Sequence, residues 1–460
     1  MAQTRLIAVK LLNKFYNNSG TIDELFSVFL NNTDKYSPEK PISKTDKNLI
    51  SELVYGVIRW QIWLDHILQQ YININKTRTA LLNILRITLY QILFLNKIPN
   101  YACVNVAVEM TKVIYIKNYE TLSKFVNGVL QAVIRDVKAE KDYAPTSDNY
   151  ITNLSIKHSH PEWIVKRLND QYGQYRAEKI ITNNNTRPRL TLRINTNQTT
   201  TLAATQQLNN NNIPIFLNLS KSNCIIIDGR FEAVRELELW KTGAICIQDL
   251  SSTLCAMLCA PLPTNLIFDL CAAPGGKTIV LSEMLTQNKT NTITGKIICN
   301  DINTQRLEKC KENIYRMKSE NIEFTNQNIY DFSYPQKADI VLLDAPCSGL
   351  GTIRKNPDIK FVRTEEQLNA CIQHQRAMLL KARTLLKKGG HLIYSICSID
   401  KEEGEENIKW FLETEPRFEL EDAANFIGPE YTENKFLTTA TLLGEGITDG
   451  AFAARLVFKG

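Results

Sequence analysis

No apolar run in these 460 residues reaches the roughly 18–20 residues that span a bilayer, so no transmembrane helix is expected. Residues 1–15 are basic and amphipathic but lack an apolar signal core and a small-residue cleavage site, so no secretory leader is expected there. The 11 cysteines follow no repeating frame and their number is odd. That argues against a disulfide scaffold and for a reducing, cytoplasmic setting. Cys255 and Cys259 are four apart, but no second pair or histidine stands at zinc spacing, so no metal is expected. Internal repeats are absent too. Two nucleotide fingerprints also fail. A phosphate-gripping loop needs glycine where Cys271 stands, and Gly-x-Gly-x-x-Gly does not occur after the first strand of the C-terminal half.

What is present has the balance of a soluble globular protein, with 44% hydrophobic and 22% charged residues. The length calls for two or three domains. Net charge is +6, and about +5 of it falls in the first 150 residues, which is compatible with a nucleic-acid partner. Residues 1–140 show apolar positions at helical spacing in successive segments, and a helical bundle is the expected outcome. A polar stretch, 141–155, reads as a linker. Residues 156–240 mix a helix with short alternating strands, a small α/β module. From 241 to 460, strand and helix patterns alternate at βαβ spacing, which predicts a doubly wound, Rossmann-like sheet.

Three apolar runs in that last region end in unusual chemistry. Residues 266–269 lead into Cys271-Ala272-Ala273-Pro274-Gly275-Gly276-Lys277-Thr278. Residues 340–343 lead into Asp344-Ala345-Pro346-Cys347-Ser348-Gly349, and residues 391–394 into Ser395-Ile396-Cys397-Ser398. Ligands of open α/β sheets bind at the carboxyl ends of strands, so a glycine loop and two thiols are expected in one crevice. Asp301 ends the strand after the loop, where a carboxylate usually meets a ribose hydroxyl; capping the helix near Thr304 is the alternative. Lys277 is either a positive charge at the site or a surface residue at a helix start. The remaining cysteines read as packing.

These motifs are similar to those of the RNA 5-methylcytosine methyltransferases. Asp269 to Thr278 resembles the family's cofactor motif, Asp344 to Gly349 its Pro-Cys motif and Tyr394 to Ser398 its Thr-Cys motif, with Ile396 in the threonine position. Asn356-Pro357-Asp358-Ile359-Lys360 also matches. Val126-Asn127-Gly128-Val129-Leu130 extends the likeness to the antiterminator NusB, and His160-Pro161-Glu162-Trp163 to the middle module. Within the family, the chain is most similar to the bacterial small-subunit (16S) rRNA branch.

The resemblance implies a class I S-adenosylmethionine-dependent methyltransferase domain behind a NusB-like helical domain and a small α/β module. It implies Cys397 as nucleophile, Cys347 in product release and Asp344 at the N3 edge of the cytosine. Residues 271–277 and Asp301 would hold S-adenosylmethionine. Asn328 stands where the family usually has an acid facing the adenine, with Asp331 three residues on as an alternative. 16S rRNA is the implied partner, with no membrane and a monomeric enzyme expected. Arg187, Arg189, Arg193, Arg354 and Lys355 are the expected RNA contacts. A transfer-RNA cytosine methyltransferase and a non-catalytic ribosome-assembly factor remain as alternatives.

Overall fold

The computed structural model describes residues 2–17, 20–37, 41–219, 222–228, 231–287, 294–443 and 446–460. The chain divides into two compact units, Met1–Asn185 with Asn356–Val362, and Thr186–Lys355 with Arg363–Gly460.

The first unit is helical: α1 (Ala2–Tyr16), α2 (Ile22–Asn31), α3 (Thr33–Tyr36), α4 (Lys44–Leu68), α5 (Thr79–Phe94), α6 (Asn100–Ile114), α7 (Tyr119–Lys138), α8 (Tyr150–Lys157) and α9 (Glu162–Asn184). Thr21 and Glu24 start α2 with a reciprocal capping box, and Ser43 caps α4. Apolar faces of α1, α4, α5, α6 and α7 fill one core. Inside it Arg86 makes a two-pronged pair with Asp65, at 2.7 and 2.6 Å. The stretch expected as a linker holds α8, nucleated by Asn149, whose side chain accepts the Ile151 and Thr152 N–H groups. Asn356–Val362, far downstream in sequence, is part of this unit. Its Lys360 is buried and donates to the Arg59 and Ser159 carbonyls at 2.6 and 2.7 Å.

The second unit holds two sheets. The smaller is antiparallel, ordered β2-β3-β1-β4, from β1 (Leu190–Ile194), β2 (Ile215–Leu219), β3 (Cys224–Ile227) and β4 (Ile245–Ile247). Its fourth strand lies beyond residue 240, because Ile245 and Ile247 complete the apolar face of Leu192 and Ile194.

The larger sheet has a parallel centre: β5 (Leu266–Asp269), β6 (Lys296–Asn300), β7 (Ile322–Thr325), β8 (Ala338–Asp344) and β9 (Leu386–Ile396), in the order β7-β6-β5-β8-β9. β13 (Phe452–Phe458) runs antiparallel beside β9 and carries β10 (Phe418–Glu421) and β12 (Phe436–Thr438), with β11 (Thr432–Glu433) at the edge. β10, β11 and β12 are strands of two to four residues, defined by their pairing with neighbouring strands and not by a sequence period. The central strands are buried on both faces, which is why they read as continuous apolar runs. The order reverses at β5, and the crevice at its carboxyl end is the place for a ligand.

Candidate active site

β5 ends in Asp269, which is fully buried. Its Oδ2 accepts the Thr278 hydroxyl at 2.7 Å, while Oδ1 has no hydrogen-bond partner among the described residues. Burial pushes this carboxyl up to about 7, against the Thr278 bond and with repulsion from Asp344. The loop then turns sharply. Ala272 N–H donates to Asn300 O, and Gly275 N–H donates to Ala272 O at 2.7 Å. Gly275 has φ +96°, and a Cβ there would meet Cys310 Sγ at 2.7 Å. Glycine is therefore required on both counts. The helix Gly276–Gln287 follows.

Asp301, just past β6, accepts the Ala273 N–H at 3.2 Å and the Asn303 N–H at 2.9 Å, so it ties the glycine loop to the neighbouring strand end. Asn303, not Asp301, caps the helix Thr304–Arg316. Past β7, Asn328 is exposed and its Oδ1 accepts the Tyr330 N–H at 3.1 Å. Asp331 is exposed on the same turn.

β8 and β9 pair in parallel with Asp344 opposite Ser395, which brings the two cysteine loops together. Cys347 Sγ and Cys397 Sγ are 3.2 Å apart, both as free thiols; Cys397 is exposed and Cys347 half-buried. Asp344 accepts Lys277 Nζ at 2.6 Å and Ser395 Oγ at 2.7 Å. Lys277 is therefore turned inward onto Asp344 and is not a surface charge. The thiols differ in character. The Cys347 hydrogen bond holds Cys397 below the usual thiol range, helped by the Lys277 charge and opposed by burial and Asp344. Cys347 is held well above it, by the same bond and then by burial. Cys397 is thus the more accessible of the two thiols and is held lower than Cys347. Cys271 is half-buried at the loop mouth, and burial raises it.

Two expected RNA contacts are interior. Arg193 is buried, bonded to Gln248 and Glu283. Arg354 is buried and donates to Thr448 O. Lys355 is bridged between Asp249 and Asp449. Arg189 pairs with Asp228 and lies over Phe216, and Arg187 is exposed. Ser395 carries no signal of its own in the sequence, although it lies within the Thr-Cys-like motif; the parallel register is what places it opposite Asp344. Ile396 is buried in the core, so its missing hydroxyl leaves no gap in the site.

Residues 256–457 match the family model described as 16S rRNA methyltransferase RsmB/F, residues 2–135 match the NusB family, and residues 160–233 match the RsmF/B-like ferredoxin-like domain. The chain is 31% identical over 383 residues to the probable ribosomal RNA small subunit methyltransferase B of Bacillus subtilis, covering 82% of each chain. The chain belongs to the RsmB/F methyltransferase family. A Proteus mirabilis ribosomal RNA small subunit methyltransferase B is 32% identical, with 81% of this chain and 85% of that one covered. The solved structure of PH0851 shares the fold at TM-score 0.78 and 23% identity, covering 99% of this chain and 98% of that one. NSun6 from Pyrococcus horikoshii, solved with SFG, reaches TM-score 0.56 at 22% identity over 65% of this chain and 98% of that one. The RsmB/F family assignment makes this chain an RNA methyltransferase. Among the described residues, no helix is long and apolar enough to cross a membrane.

Proposed function

We propose that this RsmB/F-family enzyme methylates C5 of one cytosine in 16S rRNA, using S-adenosylmethionine and a covalent adduct between Cys397 and C6. The observation that carries the reading is the thiol pair at 3.2 Å beside the Lys277–Asp344 ion pair. C5 of cytosine is a weak nucleophile until a thiolate adds at C6. In this reading the Cys397 thiolate forms the C6–S bond, and the displaced π electrons make C5 enamine-like. Asp344, held by Lys277 and Ser395 and carrying a proton taken from the Lys277 ammonium, donates it to N3 as negative charge develops there, and N3 returns it when Cys397 leaves. S-adenosylmethionine, when bound, supplies the electrophilic methyl group. Cys347, having released its own proton to solvent, then takes the C5 proton. The C5–H electrons restore the C5–C6 double bond as the C6–S bond breaks and Cys397 leaves as thiolate.

The cofactor fits the residues present. The glycine loop 271–277 admits a ligand close to the backbone, Asp301 lies where a ribose is met, and the buried Asp269 Oδ1 is an acceptor left for an ammonium group. Asn328 keeps a lone pair on Oδ1 for the adenine amino group, in the slot where the family has an acid. The target base must leave its stack to reach both thiols. We assign RNA binding to the NusB-like domain (1–140) and the small module (156–240), with Arg187 and Arg189 as contacts to the backbone.

The test is transfer of labelled methyl from S-adenosylmethionine to small-subunit rRNA lacking the modification, with the labelled nucleotide mapped. Label at C5 of one cytosine is the expected result. Label on transfer RNA alone would keep the chemistry and overturn the substrate. Cofactor binding with no label on any RNA would favour a non-catalytic assembly factor.

A further inference from the structure

Directly behind the two thiols is a carboxylate that the chemistry above does not use. Glu403 is fully buried, and among the described residues no lysine, arginine or histidine pairs with it. Its Oε1 accepts the Ser348 N–H at 2.8 Å and Gln375 Nε2 at 2.9 Å; its Oε2 accepts the Ser348 hydroxyl at 2.5 Å. Ser348 follows Cys347, and Ser398 follows Cys397. The two serine hydroxyls are 3.1 Å apart. Ser398 Oγ accepts the Asp400 N–H at 3.1 Å, so its own proton is free for Ser348 or Glu403. Gln375 Nε2 also donates to Pro346 O at 2.9 Å, on the Cys347 loop. The Glu403 carbonyl is itself fixed by Tyr394 Oη at 2.7 Å and Asn407 Nδ2 at 3.1 Å.

We infer that Glu403 is a positioning residue: it clamps the loop after β8 to the loop after β9 and thereby sets the spacing of Cys347 and Cys397. Burying an ionised carboxylate without a cation costs several kcal/mol of desolvation unless hydrogen bonds offset it. Simple packing would be served by an apolar side chain. Here N–H and O–H donors from the Cys347 loop and an amide from the helix Glu365–Arg383 converge on a carboxylate carried by the loop after β9. Only a side chain with two acceptor oxygens and no donor satisfies them together. An amide in its place would take away the acceptor of the Ser348 hydroxyl proton or of Gln375, and alanine would leave all the donors unpaired. Displacing a reacting group by about 1 Å costs roughly 100-fold in rate, so such a clamp matters to turnover.

The inference rests on the thiol chemistry proposed above, but its test does not require RNA. Phenylarsine oxide bridges two thiols only when they are held together. The full-length protein, Glu403→Ala, Glu403→Gln and a Cys347→Ser control are titrated with it, and rRNA methylation is measured in parallel. The control reports any arsenical held elsewhere. The expected result is a dithiol affinity at Cys347 and Cys397 that falls roughly 10- to 100-fold in Glu403→Ala and less in Glu403→Gln. Methylation kcat falls in the same order, while cofactor Kd and rRNA KM stay within about twofold, as expected of a group acting on the reacting pair alone. Arsenical binding as tight as wild type in folded Glu403→Ala would overturn the clamp, whatever the activity. Should that variant fail to fold, Ser348→Ala carries the test, since it breaks the same bridge from the other side. Wild-type dithiol affinity in Ser348→Ala would then be the overturning result. If rRNA proves not to be the substrate, the dithiol readout still decides the inference.

Discussion

Two pairs of free cysteines lie almost equally close in this molecule, and only one has the surroundings of a reaction site. Cys347 and Cys397 are 3.2 Å apart, and Cys299 and Cys310 are 3.5 Å apart. The first pair sits past the ends of β8 and β9, with one thiol exposed and the Lys277–Asp344 ion pair beside it. The second joins β6 to the helix Thr304–Arg316 beneath the cofactor loop, with both thiols buried among Ala272, Ile279 and Leu307. The bond to Cys310 and then burial push Cys299 above the usual thiol range. Proximity alone does not make a thiol reactive. Access and a nearby cation do, and they occur together only where the parallel strands end.

The sharpest way to break this contrast is to remove the thiols assigned to chemistry. Cys397→Ala is expected to lower rRNA methylation by at least roughly 10⁴-fold with cofactor binding and fold unchanged. Measurable turnover would reassign the nucleophile. Cys347→Ala should still form the adduct but not release it. A slow-migrating, protease-sensitive RNA species on a denaturing gel is the expected readout, and its absence would remove Cys347 from the release step.

A smaller effect is expected from the cation. Lys277 attracts the Cys397 thiolate and holds Asp344, so Lys277→Met removes one favourable charge and frees a repulsive one. Cys397 is depressed in the intact protein, so its alkylation rises with pH through a midpoint below that of an ordinary thiol. In Lys277→Met that limb moves to higher pH, and methylation at neutral pH falls by roughly 10²-fold. Alkylation rates at Cys397, mapped by mass spectrometry across pH, check this. An unmoved limb would confine Lys277 to holding Asp344.

Much of this site is legible in the amino-acid sequence, for a specific reason. β5, β8 and the second half of β9 (392–396), which deliver Cys271, Cys347 and Cys397, are largely buried, so each appears as a mostly apolar run with its chemistry immediately after it. What escapes is whatever depends on a distant partner. Arg193 reads as a surface charge until Glu283, 90 residues away, closes on it inside the protein. Glu403 lies in the acidic run Lys401-Glu402-Glu403-Gly404-Glu405-Glu406 and looks like a solvated helix start. Its burial depends on Ser348, 55 residues earlier. β4 escapes for the same reason, because three residues acquire a strand's identity only from pairing with β1. Lys360 is quoted easily in a motif, but its two carbonyl acceptors, Arg59 and Ser159, lie 301 and 201 residues away.

The smallest expected effect separates packing from backbone at the buried pair. Gly275→Ala meets two obstacles: a φ of +96°, and Cys310 Sγ at 2.7 Å from the new Cβ. The first costs about 1–2 kcal/mol and the second a further 1–3 kcal/mol of overpacking. Cys310→Ala alone removes a buried sulfur that takes no part in the chemistry, so it costs about 1 kcal/mol in stability and leaves methylation within about twofold. The double variant should then recover the overpacking share of the Gly275→Ala loss and no more, since the space is cleared while the left-handed backbone remains. Denaturant unfolding of the four proteins gives the coupling energy directly. Strict additivity would mean that Cys310 does not press on the loop, and that the left-handed turn alone demands glycine there. A favourable coupling would assign the inert pair a task of its own: the reactive pair does the chemistry, and this one shapes the floor beneath the cofactor loop.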